Sequence, residues 1–296
     1  MNIPCDQYLI SHSVEEALRL LSECTGQARI LAGGSDLLLE LQQGIRSPVQ
    51  LLVDVTEIDE MCALEIRDGS LYIGASVTLS RLAHSELVGQ HARALADAAS
   101  LMANPQVCNI ATLGGNVAHA LPAADGTIAL MALDTQAEVA SLQGRLRFPL
   151  KDLFRGPGES TLDPARQILV GFYLPLCQPG QASAFTRRVN PQGTALALLN
   201  AAVWLQRQGD TVSDIRIVMG PSGPIPSRMF NAEKVLIGYA PTVQLQERAL
   251  QELLKEAHFR TSLHRATAPY RQHLAGVLLQ EALNVAWRRA GKILVK

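Results

Sequence analysis

Residues 28–38 read Ala28-Arg29-Ile30-Leu31-Ala32-Gly33-Gly34-Ser35-Asp36-Leu37-Leu38. An apolar segment, Ala28-Arg29-Ile30-Leu31, runs into a glycine pair and a polar pair. A leucine-rich stretch then continues to Gln43 and stops at Gly44. That order predicts strand, turn and helix. Glycines at such a turn leave backbone N–H groups facing outward with no side chain in front of them. Ser35 can cap the helix, whose positive end adds to the same concavity. The geometry suits a phosphate. The same residues also make a plain strand-to-helix turn.

Outward from this turn the pattern alternates. Upstream, residues 13–23 (SVEEALRLLSE) predict a helix with Ser13 as N-cap and Glu16 completing a capping box. Downstream, Leu51-Leu52-Val53-Asp54-Val55 predicts a second buried strand, so the first ~55 residues favour an α/β layer arrangement. From Ala63 the texture changes. Leu64–Arg67 and Leu71–Gly74 flank Asp68-Gly69-Ser70, a hairpin signal. Thr78 can cap a short helix to about Ala83, residues 87–102 carry helical spacing, and Gln106–Ala111 reads as a strand. Ala137–Ser141, Arg145–Pro149 and Gln167–Leu174 read as further strands, and Pro175–Gln181 as a linker. Beyond it come strands at Ala184–Val189, Ala197–Gln206 and Val212–Met219. Pro221, Pro224 and Pro226 end the sheet, and helices follow at about 231–238, 242–257 and 268–290.

A second glycine pair sits in Ala111-Thr112-Leu113-Gly114-Gly115-Asn116-Val117-Ala118. Thr112 and Asn116 offer side-chain hydrogen bonds, and Gly114-Gly115 allows a close backbone approach. Two such loops can grip a pyrophosphate from both sides. Asp125 can accept a hydrogen bond from a ribose or ring donor, or cap a helix. Neither loop is G-x-G-x-x-G, or G-x-x-x-x-G-K followed by Ser or Thr, and there is no G-x-S-x-G elbow or H-E-x-x-H. With no nucleophile paired to a base, chemistry carried by a bound cofactor fits better than side-chain catalysis.

Composition agrees. The 296 residues suggest two domains, and 48% hydrophobic against 18% charged residues gives a sizeable core. A net charge of −1 and 4% aromatics argue against a nucleic-acid partner. No apolar run reaches the ~18–20 residues of a membrane span. Met1–Gln7 lacks a signal-peptide pattern, so the expected location is cytoplasmic. Cys5, Cys24, Cys62, Cys108 and Cys177 are scattered, as are the seven histidines. They predict buried free thiols and no metal site.

Ile30–Leu38 together with Thr112–Ala118 resembles the FAD-binding medium subunit of molybdenum hydroxylases, the xanthine dehydrogenase and carbon monoxide dehydrogenase flavin subunit family. Asp68–Ala75, Pro122-Ala123-Ala124-Asp125, Phe154-Arg155-Gly156-Pro157-Gly158 and Pro269–Leu274 sustain the resemblance in order along the chain. It implies an α+β architecture. A vanillyl-alcohol-oxidase/PCMH-type FAD-binding domain at 1–177 would divide into sub-domains at about 1–56 and 57–177. A C-terminal α/β domain at 182–296 would carry a small antiparallel sheet and helices.

By the same resemblance, Ile30, Leu31, Ala32, Gly33, Gly34, Ser35 and Asp36 hold the FAD pyrophosphate with Thr112, Leu113, Gly114, Gly115 and Asn116. Asp125 and Leu169 match positions that contact FAD. Met102 stands where some relatives have an aromatic flavin neighbour, and Thr186, followed by Arg187-Arg188, where some have a lysine. The implied role is electron relay from two 2Fe-2S clusters on a small subunit, through FAD, to NAD+ or another acceptor. A large molybdopterin subunit hydroxylates the substrate, in a dimer of heterotrimers. The other readings are a stand-alone flavin reductase of the same fold and a flavin-free scaffold subunit.

Overall fold

The computed structural model describes residues 5–24, 26–190 and 196–291, which form sheets of three, five, four and two strands. The first lobe runs β1 (Cys5–Ile10), α1 (Val14–Glu23), β2 (Ala28–Leu31), α2 (Leu37–Gln42), β3 (Val49–Asp54) and α3 (Asp59–Cys62). Its three strands are parallel in the order β1-β3-β2. In α1 the buried residues are Val14, Ala17, Leu18 and Leu21, one stripe at helical spacing. Ser13 Oγ accepts the Glu16 N–H at 3.1 Å, and the Glu16 carboxylate accepts the His12 N–H at 2.8 Å. The capping box therefore closes one residue early. β1 is an addition to the sequence reading. All but its first residue are exposed, so it shows no one-sided alternation. The Tyr8 hydroxyl donates to Asp54 of β3 and ties this edge strand down, which pushes the phenol up to about 12.

The second lobe is built on an antiparallel sheet. It opens with β4 (Leu64–Arg67) and β5 (Ser70–Gly74), whose turn has Asp68 at φ 51° and Gly69 at φ 72°. Two left-handed residues in succession define the turn that matches strand twist. Six helices follow: α4 (Leu79–His84), α5 (Glu86–His91), α6 (Arg93–Leu101), α7 (Pro105–Cys108), α8 (Leu113–Ala118) and α9 (Asp125–Ala132). Then come β6 (Gln136–Ser141), β7 (Gly144–Pro149), the small hairpin β8 (Phe154–Gly156) and β9 (Glu159–Ser160), and β10 (Gln167–Pro175). The main sheet has the order β4-β5-β10-β6-β7. All eight residues of α9 are buried, as an all-round apolar helix requires.

Three readings are corrected here. Residues 106–111 form no strand. Asn104 caps α7 through its Oδ1, which accepts the Val107 N–H at 2.9 Å, with Pro105 in the first turn. The β-branched Val107 and Ile110 suggested a strand, but the cap and proline decide the local structure. The helical stretch 87–102 is two helices, broken at Ala92 (φ −135°). The five thiols are half-buried rather than buried.

In the C-terminal domain β11 (Gln181–Val189), β12 (Ala197–Gln208), β13 (Thr211–Gly220) and β14 (Ser227–Arg228) form an antiparallel sheet. β14 extends the sheet past the prolines that were expected to end it. Three helices follow, α10 (Phe230–Leu236), α11 (Val243–Glu256) and α12 (Ala268–Ala290). Period 2 sorts most of β12. Leu199, Ala201, Val203 and Leu205 join the core under these helices, while Ala202 joins the core of the preceding lobes. The sheet is thus covered on both faces, by its own helices and by α6 and α9. Arg289 of α12 crosses the edge of the sheet to donate to Asp97 of α6 at 2.5 Å and to the Ser183 carbonyl at 2.7 Å.

Candidate functional site

Between the first and second lobes lies a cleft of about 610 Å³. Its walls are the turn after β2, the start of α8 and the β8–β9 hairpin. Val55, Met61, Ala75, Leu79, Ile168 and Leu169 give it an apolar floor.

Gly33 sits directly on the second lobe. A Cβ built there would stand 2.2 Å from the Ile110 carbonyl oxygen and 2.7 Å from Ala111 Cα. Gly34 has φ +68°, a left-handed conformation that an L side chain resists. The N–H groups of Gly34, Ser35 and Asp36 have no protein acceptor among the described residues. Ser35 does not cap α2, contrary to the expectation. Asp36 occupies the cap position in a helical conformation without a side-chain cap bond, and Ser35 Oγ donates to its carboxylate at 3.3 Å. The N–H groups of the turn itself, at residues 34–36, are left for a ligand.

The second glycine pair is used differently. It lies inside the first turn of α8 rather than in a loop, capped by Thr112, whose Oγ1 accepts the Gly115 N–H at 3.2 Å. The Gly114 N–H donates to Ala75 O at 2.8 Å, and Leu113 N–H to Val77 O at 3.0 Å. A Cβ on Gly114 would stand 2.6 Å from that of Ala75, so this glycine is a packing position. Gly115 is exposed and presents bare backbone to the cleft. Beside it the Asn116 amide oxygen is buried without a partner, while its nitrogen lies 3.8 Å from Met102 Sδ.

Ile30, Leu31, Ala32, Gly33, Gly34, Ser35, Asp36, Thr112, Gly114, Gly115, Asn116 and Leu169 all line the cleft. Leu113, Met102, Asp125 and Thr186 do not. Leu113 is fully buried behind the wall, and Met102 stands behind Asn116. Thr186 donates to the Leu278 carbonyl of α12 at 3.2 Å. Asp125 is 6% exposed, and its carboxylate oxygens are taken by Arg187 of β11 and by Asn200 of β12, the latter at 2.5 Å. Arg187 and Asn200 are register partners, so β11 and β12 offer both donors on one face. Burial raises the Asp125 carboxyl above its usual range, against the pull of Arg187 and Asn200. The free acceptor expected at Asp125 is instead an inter-domain tie.

The sequence reading missed the rest of the rim. Arg29, Arg46 and Arg155 line the cleft with Glu40, His119 and Glu159. Arg46 is ion-paired with Glu40, and Arg29 donates to Gly26 O at 2.8 Å and Ala28 O at 2.7 Å. His119 lies 3.9 Å from Glu40 across the cleft wall. Arg155 lies in the Phe154–Gly158 stretch, but nothing in the sequence places it at the cleft, because hairpin β8–β9 and the end of α8 meet only in the fold, through Gly158 N–H to Ala120 O at 3.0 Å.

Unspent backbone donors at a left-handed turn and an apolar floor define a holder of a phosphate-bearing, ring-containing cofactor. The chain belongs to the family described as "FAD binding domain in molybdopterin dehydrogenase", whose model matches residues 4–177. A second model, "CO dehydrogenase flavoprotein C-terminal domain", matches residues 184–286. The chain is 28% identical to the xanthine dehydrogenase FAD-binding subunit of Escherichia coli O157:H7, over 94% of this chain and 95% of that one. It is 30% identical to the nicotine 6-hydroxylase medium subunit of Paenarthrobacter nicotinovorans, over 98% of this chain and 100% of that one. Among solved structures, carbon monoxide dehydrogenase from Hydrogenophaga pseudoflava superposes with a TM-score of 0.91 at 30% identity, covering 98% of this chain and 99% of that one. FAD is therefore the cofactor of this chain, and an oxidoreductase subunit its class. The cleft fits that cofactor: the free N–H groups suit a diphosphate, and the floor suits a planar ring. No helix among the described residues is long and apolar enough to cross a membrane.

Proposed function

We propose that the chain is the flavin subunit of a multi-subunit molybdenum hydroxylase. In this reading electrons arrive from 2Fe-2S clusters of a small partner subunit, a large molybdopterin subunit hydroxylates the substrate, and NAD+ or another acceptor receives the electrons. The assembly is a dimer of heterotrimers in the cytoplasm. FAD supplies two-electron storage with one-electron exchange, which joins iron–sulfur carriers to a hydride acceptor.

The single observation that carries the reading is the cleft in which the unsatisfied N–H groups of Gly34, Ser35 and Asp36 face the bare backbone at Gly115. Ile30–Asp36, Thr112, Gly114, Gly115, Asn116 and Leu169 hold FAD by contact. Leu113 and Met102 act from behind the wall, Asp125 through its tie to Arg187 and Asn200, and Thr186 through α12. The FAD-binding unit is residues 1–177, divided at about 56, and the C-terminal unit is residues 182–296.

The test is a complex co-expressed with the molybdopterin and iron–sulfur subunits, assayed before and after FAD is stripped. NAD+ reduction is expected to stop without FAD and return when FAD is added. Reduction of an artificial dye by the partner subunits is expected to continue throughout. Acceptor reduction that is indifferent to FAD contradicts the relay.

A further inference from the structure

The charges that line the cleft are unequally committed. Three arginines line it, Arg29, Arg46 and Arg155, against three carboxylates, Asp36, Glu40 and Glu159. Arg46 is committed to Glu40 and Arg29 to two backbone carbonyls of its own strand region. Arg155 is exposed on the central residue of β8 and makes no hydrogen bond or ion pair among the described residues. Glu159 on the facing strand does not take it up. The hairpin that carries Arg155 is anchored at its tip, where Gly158 donates to Ala120 at the end of α8, so the side chain rides on a fixed wall.

The glycine walls leave a deficit that this cation fills. The turn at 34–36 offers neutral N–H donors, with the Asp36 carboxylate next to them. The N–H groups of Leu113, Gly114 and Gly115 are already bonded within the protein. A diphosphate carries about two negative charges, and backbone dipoles alone leave them largely uncompensated. An arginine with a free planar fork is the side chain suited to phosphate oxygens.

We propose that Arg155 neutralises the diphosphate of bound FAD and is the residue that sets affinity for the dinucleotide. This rests on the cleft being the FAD site. The exposed guanidinium begins in water and becomes charge-bonded when the ligand arrives, so its contribution appears in binding rather than in the stability of the empty chain.

The test titrates FAD, ADP and adenosine into the full chain freed of flavin, as wild type, Arg155→Ala and Arg155→Lys, at low and high salt. For Arg155→Ala the FAD dissociation constant is expected to rise about tenfold at low salt, the scale of one charge-assisted hydrogen bond. ADP weakens in parallel, adenosine is unaffected, and the salt dependence of FAD binding becomes shallower. Arg155→Lys recovers most of the affinity by restoring the charge. An unchanged melting temperature for both variants is expected from an exposed position. FAD binding by Arg155→Ala equal to wild type at low salt overturns the proposal. An equal loss for adenosine also overturns it, since the arginine would then act on the base. Failure of the wild type to bind FAD at all strikes the cleft assignment itself, and is distinguished by that result.

Discussion

The two glycine pairs at the cleft, Gly33-Gly34 and Gly114-Gly115, differ in what their backbones leave unspent. The first follows a strand. Its Gly33 lets one lobe rest on the carbonyl of Ile110, and its Gly34 turns the chain through a left-handed φ of +68°. Three N–H groups then face the cleft without acceptors among the described residues. The second pair is wound into α8, and its donors are consumed by Ala75 and Thr112. Its contribution is the absence of side chains, which brings bare backbone to the ligand. A repeated dipeptide thus supplies donors on one side and clearance on the other. The symmetric grip suggested by sequence becomes a donor wall facing a smooth wall, with Arg155 at the rim.

The strongest way to break this comparison is Gly33→Ala. Its Cβ would meet backbone atoms that cannot rotate away, so the two lobes must part. A loss of about 4 kcal/mol in denaturant unfolding, with loss of FAD, is expected. Stability within about 0.5 kcal/mol of wild type would remove Gly33 from the lobe contact. Asp125→Ala attacks the smooth wall from behind, leaving Arg187 buried without its carboxylate. It should cost about 3 kcal/mol, read as a lower melting temperature in the chain without flavin. If that chain melts as wild type does, the seam is not a structural tie.

Gly115→Asp separates folding from binding. Only Thr112 Oγ1 lies near its Cβ, at 3.2 Å, so the fold should survive, with circular dichroism unchanged. A carboxylate against the diphosphate should weaken FAD by about 100-fold or more. Gly34→Ala should cost about 1–2 kcal/mol through its positive φ and its approach to Leu38 and Leu31. Gly115→Ala should lie within about 0.5 kcal/mol of wild type, because helix propensity offsets the Thr112 contact. Equal penalties for these two alanines would erase the distinction between the pairs.

Much of this was legible in sequence, and the exceptions share a cause. Strands β10 to β13 could be read because their apolar residues record burial, as continuous runs in β10 and most of β12. The turn at 33–36 could be read because a strand, two glycines and a leucine run have few other uses. β1 was missed since an edge strand exposed on both sides leaves no periodic trace. α8 was read as a loop because its glycines are poor helix formers. Packing against Ala75 overrides that preference, and no pattern near residue 114 announces it. Asp125 was read as a FAD contact or a helix cap, and its partners, which lie 62 and 75 positions away on another domain, leave no local trace. Arg155 was visible in the Phe154–Gly158 stretch, yet only the fold brings that hairpin to the end of α8.

The most direct test is the flavin content of the purified full chain, released by denaturation and identified by chromatography. The account predicts close to one FAD per wild-type chain after saturation, and essentially none for a folded Gly115→Asp chain. A wild-type chain that stays colourless and unresponsive to added FAD, or a Gly115→Asp chain as fully loaded as wild type, would contradict it.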